Sequence, residues 1–264
     1  MSAAQVWKIL PPTLDPASPW AYGVDGKWLR RQGVFLLHRN ITTKENLYWS
    51  FHSSESYPAL RLDSDKLIKL LESKGNLPSA AVSDWKGAIV SAVTATFGDI
   101  PHQRCLTHVT RTAKTLLPQR SPFQATLALR EIAVGLILIK RHEEVSAWFK
   151  QLVAWYDRYG CLLKQRTKNP ETKRGWWYTH GNLRGAWRLL TDNPEPFFKH
   201  LDHPLLPHSN NSLEGKISQA VNKLTDHRGM KLNQQVSFLN WHFTFTRVKN
   251  KQDLKKLWDF WKRR

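Results

Sequence analysis

The sequence predicts a mixed α/β fold interrupted by a long all-helical insertion, and three observations predict it. Before residue 52 the apolar residues come in short β-branched and aromatic runs bounded by turn residues, the pattern of a strand meander. From Tyr57 to Leu117 helical spacing alternates with short apolar runs. After the break at Pro118–Pro122, only helical spacing remains from Phe123 to about Phe198. Three antiparallel strands followed by alternating helices and strands make a mixed sheet with helices on its faces.

Residues 1–19 carry Pro11, Pro12, Pro16 and Pro19 and read as a lead-in without regular structure. Trp20–Asp25 is the first strand, closed by the turn pair Asp25-Gly26. Gly33–His38 and Asn46–Phe51 are the second and third, joined by a turn over Asn40–Lys44. Leu67, Leu70 and Leu71 repeat at helical spacing within 57–74, with Asp63 or Ser64 as cap. Ser79–Ser83 is a short strand with Asp84 at its C-terminal end, followed by a helix from Trp85 to Phe97 that Gly98 stops. His102–Cys105 and a helix over Leu106–Leu117 complete this first part, residues 20–117.

The insertion is expected to span 118–205. It holds amphipathic helices over Ala125–Lys140 and Glu143–Tyr159, a basic loop over Lys164–Gly175, and an Asn182-capped helix striped by Leu183, Ala186, Trp187 and Leu190. A Pro-punctuated return, Pro194–Pro207, leads to the final core segment, 206–235. There Ser209-Asn-Asn-Ser-Leu-Glu-Gly215 opens a helix whose Ile217, Val221 and Leu224 face inward. The tail, 236–264, is helical or partly so, basic and rich in aromatics.

Composition narrows the partners. Forty Lys+Arg against 21 Asp+Glu give a net charge of +19 over 264 residues, which calls for a polyanion, nucleic acid first and an anionic membrane surface second. No apolar run approaches the roughly 18–20 residues of a membrane span. Two cysteines, Cys105 and Cys161, argue against a disulfide-built secreted scaffold and fit a reducing compartment. Thirteen tryptophans exceed what chance supplies; most are expected in the core and a few are available to stack on bases.

Three carboxylates carry the chemistry. Asp25 and Asp84 lie at the ends of strands that could be neighbours, and Glu214 opens the helix that follows the insertion. Three hard oxygen donors with no Cys/His cluster suit Mg²⁺ or Mn²⁺. Two such ions about 3.5–4 Å apart assist in-line displacement at a phosphodiester. Each residue also has a structural alternative. Asp25 fits a turn, Asp84 an N-cap, and Glu214 the third position of a capping box opened by Asn211.

The order Gly23-Val-Asp25-Gly, Val82-Ser-Asp84-Trp-Lys-Gly87, Cys105-Leu-Thr-His108, Asn211-Ser-Leu-Glu214-Gly and His227-Arg-Gly229 resembles the DDE transposases of the Mutator-like superfamily and related bacterial insertion sequences. Asp25 and Asp84 stand 59 positions apart, and Asp84 and Glu214 130. The resemblance covers roughly residues 20–235. It implies an RNase H-like core with a helical insertion before the last Glu, and Asp25, Asp84 and Glu214 as ligands of two Mg²⁺ or Mn²⁺ ions. It further implies DNA cleavage and strand transfer on transposon ends and target, a homo-oligomer of at least two chains, and the cytoplasm or nucleoid of a bacterium. Cys105 and His108 match its Cys-x-x-His element and are expected to support the active site or touch DNA rather than hold zinc. Arg104, Arg111 and Arg228 are candidate phosphate contacts or solvated surface. Trp176 and Trp177 are candidate base-stacking residues or core of the insertion. Relatives carry a DNA-binding segment ahead of the core, and with 24 residues before Asp25 this chain is expected to lack it. A truncated, idle nucleic-acid binder and an RNase H-like nuclease without joining activity are the alternatives.

Overall fold

The computed structural model describes residues 1–264 apart from 16, 74, 75, 227, 228 and 264, and leaves out the side chain of Thr225. The chain divides into two compact units, the first formed by 1–102 and 205–264, the second by 103–204.

The first unit opens with a helix absent from the sequence expectation, α1 (Ala3–Ile9). Ser2 accepts from the Gln5 N–H while the Gln5 side chain accepts from the Ser2 N–H, a reciprocal cap that satisfies two end donors. Val6 and Trp7 of this helix are buried. Strand β1 (Ala21–Trp28), β2 (Val34–Asn40) and β3 (Glu45–His52) form the antiparallel meander. Then come α2 (Tyr57–Glu72), β4 (Ala80–Ser83), α3 (Gly87–Phe97) and β5 (His102–Arg104). The sheet order is β3-β2-β1-β4-β5, with β1 and β4 parallel. It is thus a mixed five-stranded sheet.

Two boundaries differ from expectation for identifiable reasons. β1 does not turn at Asp25-Gly26 but runs on to Trp28; the reversal comes at Leu29–Gly33, where Arg30 and Arg31 take positive φ. A Cβ on Gly26 would stand 2.8 Å from side-chain atoms of both Val34 and Leu36, so this glycine serves close packing within a strand rather than a turn. α2 begins at Tyr57 with Pro58 in its first turn, which puts Asp63 and Ser64 inside the helix and not at its cap. Asp63 is fully buried there and accepts from Ser50 Oγ and His52 Nε2. With His38 Nε2 3.5 Å away, its carboxyl is held well below the ordinary range, the histidine bonds outweighing burial.

The first unit closes with α9 (Asn211–Thr225), α10 (Leu232–Phe245) and α11 (Lys251–Lys262). Leu213, Ile217, Ala220 and Leu224 of α9, with Leu239 and Phe243 of α10, join the core made by the sheet, α1, α2 and α3.

The second unit contains α4 (Leu106–Leu116), α5 (Gln124–Gly135), α6 (His142–Tyr159), β6 (Arg166–Lys168), β7 (Trp176–Tyr178), α7 (Gly181–Thr191) and the short α8 (Lys199–Asp202). It has its own core, in which Leu106, Val109 and Ala113 of α4 pack with α5, α6 and α7. The helix expected to cover the sheet therefore belongs to this unit, which begins at 103 rather than 118. The basic loop of the expectation is a β6–β7 hairpin: Arg166 pairs with Tyr178 and Lys168 with Trp176.

Candidate functional site

The site grows from the one parallel pairing next to β1. β1 and β4 run side by side with Ala21 opposite Ala80 and Gly23 opposite Val82. Asp25 and Asp84 each follow two residues later, so equal steps along adjacent parallel strands bring both to one level at the C-terminal end of β4. In open sheets this is where ligand chemistry collects.

Asp25 is only 5% exposed, and its Oδ1 accepts from the Gly26 N–H at 2.8 Å. Burial, reinforced by the charges of Asp84 and Glu214 and opposed by the Gly26 bond and Lys86, raises its carboxyl to about 7. The same interactions put Asp84 and Glu214 within electrostatic reach of Asp25. Asp25 is in neither a turn nor a cap.

A strained turn fixes Asp84. Trp85 sits at φ 71°, in the left-handed region that costs a non-glycine residue about 1 kcal/mol or more. Ser83 Oγ accepts from the Trp85 N–H at 3.2 Å and is hydrogen-bonded to His102 Nε2 at 2.8 Å, while the Trp85 ring meets the His102 ring edge-on at 4.8 Å. His102 is lowered to about 4 by burial, against the pull of Asp84, and is neutral at physiological pH. Asp84 Oδ1 accepts from the Lys86 N–H at 3.1 Å. The cap of α3 is Lys86, not Asp84.

Glu214 arrives on α9. Arg39 of β2, itself buried, donates through Nη1 to the Ser212 carbonyl at 2.9 Å, and Leu213 packs against the backbone of Gly23. The N-cap is Asn210, whose carbonyl accepts from the Glu214 N–H at 3.1 Å. Glu214 is therefore the fourth helical residue, one place out of register for the capping box expected from Asn211. It still lies in the first turn, where the helix dipole favours a carboxylate.

Two further residues complete the cluster, and neither was singled out from sequence. Glu55, in the loop between β3 and α2, accepts from Lys86 Nζ at 2.5 Å through Oε2; the same ammonium stands 2.9 Å from Asp84 Oδ2. A Cβ on Gly26 would come within 3.1 Å of Glu55 Oε1, so Gly26 leaves the room that Glu55 occupies. That Oε1 is buried and has no hydrogen-bond partner among the described residues. Lys86 lies inside the quoted Asp84-Trp-Lys-Gly motif, a signal that was available; Glu55 has none in the local sequence.

A donor set of carboxylate oxygens, one of them buried and unpartnered among the described residues, suits a hard divalent cation. Among the described residues, no three His, Cys, Asp or Glu side chains stand together as a ready-made metal cluster.

Next to α9 the surface is basic. A cleft of about 420 Å³ is lined by Arg39, Lys44, Lys216 and Lys249, with Thr13 and Glu45 among its other walls. A second, of about 670 Å³, shares Lys216 and Thr246 with it and adds Lys223 and His242. His242 is lowered by burial and by the charges of Lys223 and Lys216. Lys216 follows Glu214 by two positions, about 200° around the helix, so α9 turns its acid and its base in different directions.

The remaining candidates belong to the second unit. Cys105 is fully buried as N-cap of α4, with His108 half-buried one turn on. Arg104 lies over the Phe197 ring at 5.2 Å, and Arg111 is exposed on α4. Trp176 is half-buried beneath Arg166 at 4.0 Å, and Trp177 is 51% exposed, so this pair lies on the two sides of the hairpin and not in the core of the insertion. Trp177 lines a cleft of about 620 Å³ with Phe123, Arg120 and His180. Arg228 lies outside the described residues.

The fold and the site together define a mixed α/β protein with an acidic cluster beyond its parallel strand pair. No protein-family model matches the chain, and no curated protein matches it.

Proposed function

We propose that the chain is the catalytic core of a DDE-type transposase, similar to the Mutator-like superfamily and related bacterial insertion sequences, with its sheet in an RNase H-like arrangement. One observation carries the reading: the β1–β4 register sets Asp25 and Asp84 level, and the Asp25 carboxyl responds to both Asp84 and Glu214. Asp25, Asp84 and Glu214 would hold Mg²⁺ or Mn²⁺. The bound ions supply Lewis acidity at the scissile phosphodiester. The chain's own contribution is to fix its ligands. Ser83, Trp85 and His102 hold the Asp84 turn, Arg39 anchors the start of α9, and the basic clefts attract the DNA backbone in a salt-dependent manner.

A specific observation favours the idle nucleic-acid binder as second reading: the Lys86 ammonium already occupies Asp84 and Glu55. The deciding experiment is Mn²⁺- or Mg²⁺-dependent nicking of supercoiled DNA by the wild type and Asp84→Asn. Metal-dependent nicking that the substitution abolishes supports the enzyme. Salt-dependent binding without nicking supports the idle binder. Equal nicking by both proteins overturns the site. Joining of an added 3′-hydroxyl end then separates a transposase from a nuclease.

A further inference from the structure

We propose that Glu55 is a fourth oxygen donor of the cation site and that Lys86 is its resident counter-cation, which leaves when a divalent ion enters. The inference rests on the metal-dependent reading above and extends it to two residues for which the family resemblance gives no role.

The positions of the charges argue for it. The Glu55 and Asp84 side chains are 6% and 7% exposed, whereas that of Lys86, which bridges them, is 51% exposed. The carboxylates are thus fixed in the fold and the ammonium is not. A lysine stem reaches solvent by rotating its own torsions, and its head is strongly hydrated once there. The cluster also has too little positive charge. Glu55 and Asp84 share the single charge of Lys86, and buried charge that is not neutralised is costly. Among the described residues Glu55 Oε1 shows the shortfall directly, being a buried acceptor with no donor, packed against Gly26. A divalent ion brings twice the charge of Lys86 and a coordination shell that can include this oxygen.

A purely structural ion pair and a displaceable counter-cation predict opposite results. Lys86→Met removes the competing charge and leaves every carboxylate; Glu55→Gln removes a donor and keeps the shape. Mn²⁺ affinity is measured by electron paramagnetic resonance and titration calorimetry on the full chain, with Asp84→Asn as reference. Melting temperatures are read with EDTA and with Mn²⁺. Lys86→Met is expected to bind Mn²⁺ about ten-fold more tightly and to melt lower than wild type in EDTA but recover with Mn²⁺. Glu55→Gln is expected to bind about ten-fold more weakly. Unchanged or weaker binding by Lys86→Met, or wild-type binding by Glu55→Gln, overturns the inference. If the wild type binds Mn²⁺ and Asp84→Asn does not, such a result removes only the two new roles. If the wild type binds no Mn²⁺, the metal-dependent reading falls with them.

Discussion

Replacing Asp25 by Asn should stabilise the protein, by an amount that grows with pH. The wild-type carboxyl titrates near 7 in the fold, against 3.8 for an unperturbed Asp, chiefly because burial opposes its charge. A raised carboxyl pKa means that the folded state binds the proton more tightly than the unfolded state does. The group then lowers stability as pH rises through 3.8, and the loss is complete above 7. At about 1.4 kcal/mol per pH unit, the rise from 3.8 to about 7 corresponds to roughly 4 kcal/mol. Between about pH 5 and pH 8 the part that changes is roughly 2–3 kcal/mol. Asn keeps the shape and can still accept from the Gly26 N–H, so the comparison isolates the charge. Urea unfolding of both proteins without divalent ions, at those two pH values, reads the difference. The Asn variant should gain roughly 1–2 kcal/mol at the lower pH and roughly 2–3 kcal/mol more at the higher. A difference that does not change with pH would refute the claim that Asp25 is charged at a cost in this fold. Adding Mn²⁺ at the higher pH should close the gap, by stabilising the wild type alone.

Two further outcomes follow from the same geometry. Gly33→Ala would push a methyl to 2.3 Å from Phe51 Cζ and 2.6 Å from the His52 carbonyl oxygen, and should cost about 1–3 kcal/mol in urea unfolding; an unchanged midpoint would mean that the β2–β3 edge gives way freely. Reversing two charges of the basic cleft, Lys44→Glu with Lys216→Glu, should weaken duplex DNA binding in fluorescence anisotropy and flatten the log-affinity against log-salt slope by about two, whereas an unaltered slope would move the DNA path elsewhere.

The alternation of strand and helix from residue 20 to 117 was legible because each run is long enough to display its period. Where the period had too few residues to show, the reading failed. β6 and β7 have three residues each, and in a lysine- and threonine-rich segment they give no alternation to count. α1 was hidden by the prolines that follow it, although its Ser2 and Gln5 stand at capping-box spacing. The partner of an amphipathic face is a different kind of information. Leu106, Val109 and Ala113 announce a buried stripe on α4, but only the tertiary structure puts that stripe in the second core. Asp84 was legible as a strand-end acid, whereas Asp25, expected at such an end, stands inside β1, which runs on to Trp28. The ionic bond from Glu55 to Lys86 crosses 31 residues of sequence, and no local rule points to it.

These misses share a physical root with the site itself. Short-range rules describe how a residue satisfies its own backbone, and the cluster consists of residues that do something else with their side chains. Trp85 adopts a left-handed backbone that its side chain disfavours, Gly26 gives up strand propensity to admit Glu55, and Glu214 stands one position away from where it would cap its helix. Each departure moves a carboxylate toward Asp25 or makes room for one. Burying Asp25 within reach of the charges of Asp84 and Glu214 lowers the stability of the fold, as its raised carboxyl records. Such an arrangement persists because β1, β4 and the anchored start of α9 hold it, and it becomes favourable once enough positive charge enters. α9 meets both requirements at once. Its first turn brings Glu214 to the acids, while Lys216, on another face, lines the basic clefts. On the proposed reading, attraction for a polyanion and attraction for a cation are thereby kept apart on one rigid element, which would let the backbone of a bound nucleic acid lie beside the acids without its charge being aimed at them.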